Sequence, residues 1–401
     1  MNTKNFSITQ IWFALALVFT TATQLRWRDL PIGPGELMLV IWLIIVGFHI
    51  LKQRRILLTS SLKLFIIFWS IILILLFSGW LVGLCQGVFN VRAGIHNLLA
   101  YLFICLFTLI AVSYWDSKKV AIIGKLVLLF AVVGLAPLWI YGQWFTEFGK
   151  LQIWYGGSRF LGWAIDPNQT AILLVPLPFI ALYYLRRSYI YIHKVVFLAF
   201  LIGAIVLGIG TGSDSLKVAW AGAIVVYFLI VMLSKGKITY QKLVTVSAII
   251  ILVCFAGIFV FGPEIYASVE DMYYLGNQGP VRITLWKNGL QAASNSPLVG
   301  FGPGAYSGVH EPFSGSECHN TFIDWMTNTG AAGFLLLFFL LTLIFIKAMS
   351  SKNEEVVAVL TTLIIVSIFL YVIRHPVWWF YILWSISVTS IGKESKISEI
   401  T

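Results

Sequence analysis

Long apolar stretches dominate this sequence and limit what it can fold into. A membrane-spanning helix needs about 20 mostly apolar residues to cross roughly 30 Å of hydrocarbon. Of the 401 residues, 59% are hydrophobic and 11% are charged, which leaves too few polar residues to cover a soluble globule. The sequence therefore predicts an all-α integral membrane protein with about 12 transmembrane helices. The predicted spans are 9–25, 32–51, 62–84, 97–113, 120–142, 169–185, 195–210, 218–233, 243–262, 331–348, 356–373 and 377–392.

The basic residues are distributed unevenly over the predicted loops. If the N-terminus lies in the cytoplasm, 18 of the 27 Lys and Arg residues fall in or beside cytoplasmic loops, and 9 fall on the opposite side. Short cytoplasmic loops are typically enriched in Lys and Arg, so both termini are predicted to be cytoplasmic. Most of the net charge of +11 then reflects membrane topology, and no nucleic-acid partner is required to explain it.

The chain reads as a single polytopic domain over residues 1–401, because no linker or internal repeat divides it. Two outer connections are long, and the longer is a loop at about 263–330, just before the last three spans. Loops of such length are usually functional. Within it, 281–297 shows helical spacing of apolar residues. A second short helix is predicted to begin near His319, with Asn320 or Ser316 as its cap.

Ionisable residues are nearly absent from the middle of the predicted spans, so chemistry is expected at the outer face. A surplus of cations there suits an anionic ligand, and the guanidinium group matches phosphate geometry. The alternative is that these cations only anchor the helix ends to lipid headgroups. The outer cations are Arg26, Arg28, Arg92, Lys150, Arg159, Lys217, Arg282, Lys287 and Arg374.

His319 is the leading candidate for acid–base chemistry, because imidazole is both neutral and cationic near pH 7. A hydrogen-bonding or capping role for this residue is the alternative. The outer histidines lack the spacing of a metal site, so neither a metal nor another cofactor is predicted. Cys85 and Cys318 are the cysteines near the outer face, and a disulfide between them remains open.

Three outer segments, taken in order, resemble the bacterial O-antigen ligase and O-antigen polymerase superfamily of GT-C-type membrane glycosyltransferases. They are "SRFLGWAIDPNQTAILLVPLP", "RITLWKNGLQAASNSPLVGFGPGAY" and "CHNTFIDWMTNTGAAGFLLLF". The resemblance implies an inverting, metal-independent transfer of a glycan from undecaprenyl diphosphate to an acceptor sugar hydroxyl at the periplasmic face of the inner membrane. It further implies that Arg159 and Arg282 hold the diphosphate and that His319 orients or deprotonates the acceptor.

The predicted substrate-binding residues are Lys217, Asn320, Asn168 and His310. Many members of the superfamily carry Ser-Arg where this chain has Ser213-Asp214. Lys217 is included because a lysine three residues later lies on roughly the same helical face and could replace that arginine. His310 is the candidate for an additional histidine that members often carry upstream of the His-Asn pair.

Several functions share these features. The acceptor is a lipid A core for a ligase, a carrier-linked repeat unit for a polymerase, or a protein hydroxyl for an oligosaccharyltransferase. A polysaccharide or lipid-linked glycan flippase is the alternative from another class. Membrane lipids and the undecaprenyl-diphosphate-linked glycan are the partners that the resemblance implies.

Overall fold

The computed structural model describes residues 7–27, 32–53, 59–88, 91–234, 278–306 and 314–397. The described chain is mainly helical. Its helices are α1 (Ile8–Phe19), α2 (Pro34–Gln53), α3 (Ser60–Cys85), α4 (Val91–Tyr114), α5 (Ser117–Tyr141), α6 (Pro167–Leu174), α7 (Leu177–Arg187), α8 (Tyr191–Gly210), α9 (Asp214–Ser234), α10 (Gln278–Asn295), α11 (Thr321–Ser350), α12 (Glu354–Phe369) and α13 (Pro376–Ile397). Two antiparallel hairpins lie between α5 and α6: β1 (Glu147–Phe148) pairs with β2 (Leu151–Gln152), and β3 (Trp154–Tyr155) pairs with β4 (Arg159–Phe160).

Eight helical segments of the described chain are long and apolar enough to cross a membrane. They are α2, α3, α4, α5, the combined α6–α7 segment, α8, α9 and α11. The helices α1, α12 and α13 coincide with three further predicted spans, and the predicted span 243–262 lies outside the described residues. The predicted all-α, multi-spanning membrane protein is thereby confirmed.

Helix α13 is buried over residues 376–386, where it carries large aromatic side chains on several faces. Trp379, Tyr381 and Trp384 have no exposed surface, and the helix packs against α4, α5, α11 and α12. The Tyr381 hydroxyl donates a hydrogen bond to the Leu173 carbonyl oxygen over 2.7 Å. This bond ties α6, whose N-terminal end carries Asn168, to the centre of the bundle.

Helix α11 is broken at Gly330, where φ is 68° and ψ is −173°. The segment 297–302 satisfies backbone groups freed by the break: Ala331 N donates to Pro297 O over 2.7 Å, and Phe301 N donates to Thr327 O over 2.8 Å. A Cβ atom at position 330 would clash with the Leu298 carbonyl, so both the conformation and the packing require glycine here. The predicted short helix before the last three spans is thus the first part of α11.

An ion-pair cluster joins α7 to α12 at the end of the bundle remote from the hairpins. The Glu355 carboxylate is fully buried and accepts hydrogen bonds from Arg186 Nη1 at 2.5 Å and Arg187 Nη1 at 3.2 Å. Arg186 Nη1 also lies 3.3 Å from Glu354 Oε2. A buried carboxylate is costly without such partners, so these contacts hold the two helices in register.

Candidate functional site

A cavity of about 460 Å³ lies at the hairpin end of the bundle. Its walls come from the β3–β4 hairpin, the start of α6, the first turns of α10, and the segments before α11 and after α12. The structure brings four of the predicted residues together around this cavity, although up to 160 positions separate them along the chain. The four are Arg159, Asn168, Arg282 and His319.

Arg159 reaches the cavity from β4, where it is paired with Tyr155 across the hairpin. Its Nε atom donates a hydrogen bond to the Thr211 carbonyl oxygen over 3.2 Å. Gly212 has φ of 59°, and a Cβ atom there would lie only 3.0 Å from Arg159 Cγ. The turn between α8 and α9 therefore both anchors the guanidinium group and leaves room for its side chain.

Asp166, Pro167 and Asn168 form the turn that leads into α6, but their roles differ. Asp166 is the N-cap of α6, since its Oδ1 accepts the Asn168 backbone N–H over 2.8 Å. The Asn168 side chain does not cap. Its Oδ1 accepts a hydrogen bond from Ser213 Oγ at 2.8 Å and lies 3.5 Å from Arg159 Nη2, which links the entrance of α6 to the start of α9.

Arg282 lies in the first turns of α10 and is partly buried. Across the described residues, neither Arg159 nor Arg282 has a carboxylate within ion-pair distance. Asp166 is the one acidic residue in the described lining of the cavity. Two guanidinium groups against one carboxylate leave the cavity with a net positive lining that suits an anion.

His319 has a left-handed backbone conformation, with φ of 54°, and its exposed imidazole lines the cavity. Histidine is among the few non-glycine residues enriched in this conformation. The residues on both sides are held by the fully buried Asp324: its carboxylate accepts the Cys318 N–H over 2.9 Å and the Asn320 N–H over 3.4 Å. Asp324 thus fixes the turn that presents His319.

Cys318 connects this turn to the helix that carries Arg282. Its Sγ donates to the Leu285 carbonyl oxygen over 3.2 Å, and Gly289 offers no Cβ that would clash with the sulfur. Burial, with the nearby Asp324 charge, raises the pKa of the Cys318 thiol, so the sulfur stays protonated. Both Cys318 and Cys85 are free cysteines, and the disulfide considered from the sequence is not formed.

The remaining predicted residues lie elsewhere or have another contact. Asn320 is the N-cap of α11, and its Oδ1 accepts the backbone N–H groups of Phe322 and Ile323 at 3.0 and 3.2 Å. Lys217 Nζ lies 3.1 Å from Asp214 Oδ1, and Lys217 is not part of the described lining of the cavity. His310 lies outside the described residues.

Sequence reasoning missed the supporting residues of the site. Asp324 follows His319 by five positions in the first turn of a helix, but an acid there more often complements the helix dipole in solvent. Glu317 was likewise overlooked, and its carboxylate binds Arg374 Nη2 at 2.5 Å. The burial of Asp324 and the pairing of Glu317 depend on tertiary contacts that the sequence does not show.

Fold and cavity together define a multi-spanning helical membrane protein with a cationic, histidine-containing cavity at one end. Residues 197–338 match the family model described as O-antigen ligase. The match confirms the predicted resemblance to the O-antigen ligase superfamily, and it supports glycosyl transfer of that general type. It includes Arg282 and His319, whereas Arg159 and Asn168 precede it. A comparison with curated protein sequences finds no match.

Proposed function

We propose that this protein transfers a glycan from undecaprenyl diphosphate to an acceptor sugar hydroxyl at the periplasmic face of the bacterial inner membrane. The observation that carries the proposal is the convergence of Arg159, Arg282 and His319 from three separate segments on one cavity. The segments that carry Arg282 and His319 are the second and third of the motifs that resemble the superfamily. Both lie inside the matched region.

In the proposed reaction the acceptor oxygen attacks the anomeric carbon of the glycan from the side opposite the diphosphate. The bond between that carbon and the diphosphate oxygen breaks, its electron pair leaves with the diphosphate, and the anomeric configuration inverts. Arg159 and Arg282 bind the diphosphate and stabilise the charge that grows on the leaving oxygen. Cations already in place need no reorganisation during the reaction, and such electrostatic stabilisation is commonly the largest catalytic contribution.

His319 takes the proton of the acceptor hydroxyl as the new glycosidic bond forms, or orients that hydroxyl for attack. Its exposed ring lies on the same cavity as both arginines, and its backbone is fixed by Asp324. A positioned base of this kind contributes about 10²- to 10⁴-fold to the rate. Arginine charge takes the place of a metal ion in this mechanism, and no cofactor takes part.

Either a lipid A core or a carrier-linked repeat unit is the proposed acceptor, which corresponds to an O-antigen ligase or a polysaccharide polymerase. Partly exposed apolar residues at the cavity, among them Tyr155 and Ile165, offer sugar-stacking or lipid-facing surface that fits both. The identity of the product separates the two.

The test uses protein reconstituted in liposomes with an undecaprenyl-diphosphate-linked glycan and each acceptor in turn. His319→Ala and Arg282→Ala are expected to reduce the rate of transfer by at least about 10²-fold. Lys287→Ala is the matched control, because Lys287 is an exposed cation on the same helix as Arg282 but does not line the cavity. Transfer that survives both cavity substitutions would falsify the proposed site.

The identity of the product shows which acceptor the protein uses. Glycosylated lipid A core indicates a ligase, longer carrier-linked chains indicate a polymerase, and glycosylated protein indicates an oligosaccharyltransferase. Movement of the glycan across the bilayer with its linkage to the carrier intact contradicts the proposal and indicates a flippase.

A further inference from the structure

A second cavity, of about 330 Å³, lies on the other side of the chain segment that joins α12 to α13. Leu370 of this segment faces the first cavity, whereas Arg374 and His375 face the second. At the start of α6, Asn168 likewise lines the first cavity, whereas Gln169 lines the second. The two cavities share no described lining residue, so the second is not an extension of the candidate active site.

One end of the second cavity is polar and rich in hydrogen-bond donors. Arg26, His96, Arg374 and His375 line it, with Glu36 as the acidic residue among the described lining. Arg26 Nη2 binds Glu36 Oε1 at 2.5 Å, but the buried Arg26 Nε has no hydrogen-bond partner among the residues that the structure describes. A buried donor without an acceptor is destabilising, and a ligand oxygen would satisfy it.

The two histidines add further donors. His375 lies next to two guanidinium groups, and burial together with Arg374 and Arg26 lowers the pKa of His375 to about 3. The imidazole is therefore neutral near pH 7, and one ring nitrogen carries a proton to donate. Arg26 and Arg374 are each paired with a carboxylate, that of Glu36 and that of Glu317, so the polar end offers hydrogen-bond donors and little net charge. Such donors suit an acceptor-rich ligand.

The other end of the cavity is apolar and continues along two helices. On α4, Leu99 and Phe103 follow His96 at spacings of three and seven residues, so all three lie on one helical face. On α2, Val40 follows Glu36 by one turn. Leu99 and Val40 are 60% and 37% exposed, so this end of the cavity opens on the apolar outer surface of the bundle. That surface faces hydrocarbon in a membrane.

We propose that the second cavity binds a phospholipid of the surrounding bilayer, with the phosphate at the polar end and an acyl chain against α2 and α4. A phosphodiester supplies oxygen acceptors for Arg26 Nε and for the two imidazoles, and the lateral opening admits a hydrocarbon chain directly from the membrane. The volume of about 330 Å³ suits a phospholipid headgroup. Bilayer phospholipid is thus the occupant that size, hydrogen-bond donors and lateral access favour together.

The experiment measures lipid binding to the purified full-length protein in detergent by native mass spectrometry and by competition. The probes are phosphatidylglycerol, a diacylglycerol with the same acyl chains but no phosphate, inorganic phosphate, and undecaprenyl phosphate. Phosphatidylglycerol is expected to bind at least about tenfold more tightly than diacylglycerol, because it alone makes charge-assisted hydrogen bonds. Inorganic phosphate is expected to compete poorly, since it lacks the acyl chain.

Three variants test the location. His96→Ala and the charge-neutral pair Arg26→Gln with Glu36→Gln remove donors at the polar end. Ala100→Trp fills the cavity but keeps every charged group. Each is expected to weaken phosphatidylglycerol binding by about tenfold. Arg282→Gln, in the first cavity, is the control and is expected to leave binding unchanged.

Unchanged binding in all three variants overturns the proposal, as does an equal loss in Arg282→Gln. Tighter binding of undecaprenyl phosphate than of phosphatidylglycerol overturns the assignment to bilayer phospholipid and identifies the carrier as occupant. If the Arg26–Glu36 variant fails to fold, His96→Ala and Ala100→Trp decide the result. Because none of these measurements depends on glycosyl transfer, their outcome is independent of the proposed function.

Discussion

The arginines at the two ends of this bundle differ in their partners. At one end, Arg186 and Arg187 surround the fully buried carboxylate of Glu355 and join α7 to α12. At the other end, Arg159 and Arg282 line a cavity and have no acidic partner among the described residues. Charges that hold helices together are neutralised within the protein, whereas cations left unpaired around a cavity remain available to an anionic ligand.

The first prediction concerns the paired end and stability. Arg186→Ala combined with Arg187→Ala leaves Glu355 buried without a cation, which is expected to cost about 3–5 kcal/mol of unfolding free energy. Thermal melting in detergent measures the loss. Adding Glu355→Gln removes the uncompensated charge and is expected to restore most of the melting temperature. If the double variant melts at the same temperature as the parent protein, the ion-pair cluster does not stabilise the fold.

The second prediction concerns the unpaired end and activity. Arg159→Ala is expected to lower the rate of glycan transfer by about 10²- to 10³-fold, because one preorganised cation is lost from the leaving diphosphate. The melting temperature should change little. Arg159→Lys retains the charge but loses the planar guanidinium group. Its transfer rate should therefore lie between those of Arg159→Ala and the parent protein. Equal rates for Arg159→Ala and the parent protein would show that this unpaired arginine does not act on the donor.

The third prediction tests Asp324 as a positioning residue for His319. Asp324→Asn keeps one acceptor oxygen but replaces the second with a donor, so one of the two N–H contacts beside His319 is lost. We expect kcat to fall by about 10- to 100-fold with little change in KM, since a small displacement of a reacting group is enough for such a loss.

A chemical readout separates this role from general destabilisation. In a Cys85→Ser background, Cys318 is expected to resist alkylation in the parent protein because its thiol is buried and its pKa is raised. Asp324→Asn should speed alkylation of Cys318, whereas Cys105, buried within α4, should stay protected in both. Peptide mass mapping measures the rates. If both cysteines become reactive together, the substitution unfolds the bundle and the positioning role is not supported.

The smallest effect is predicted for Lys217, a cation with an acidic partner. Its ammonium group pairs with the largely exposed carboxylate of Asp214, and exposed pairs contribute little. Lys217→Ala is expected to change the transfer rate by less than about threefold and to leave the melting temperature nearly unchanged. A loss comparable with that of Arg159→Ala would mean that Lys217 leaves Asp214 to bind the donor during the reaction.

Most of the described fold and part of the site were predictable because they depend on local signals. Each predicted span within the described chain coincides with a helix or, for 169–185, with the consecutive helices α6 and α7. About 20 consecutive apolar residues have few other stable conformations in a bilayer. The cap of Asn320 was also predictable, because capping involves neighbours only a few residues away.

Local signals were misleading where packing decides. The spacing of α10 placed Leu290 on the same apolar face as Leu285, yet Leu290 is 51% exposed and the polar Asn288 is buried. That helix packs around Cys318 through Gly289, and this contact crosses from one segment of the chain to another. Helical periodicity indicates a face but not which neighbour covers it.

The sequence by itself determined the membrane class, the positions of the spans, and the set of basic residues and histidines from which a site could be built, because each follows from hydropathy or residue type. The tertiary structure decided which of those residues meet. It brought Arg159, Arg282 and His319 to one cavity, paired Lys217 with Asp214, and placed Asp324 beneath the turn of His319. Such pairings depend on contacts between distant segments, which are absent from any local pattern of residues.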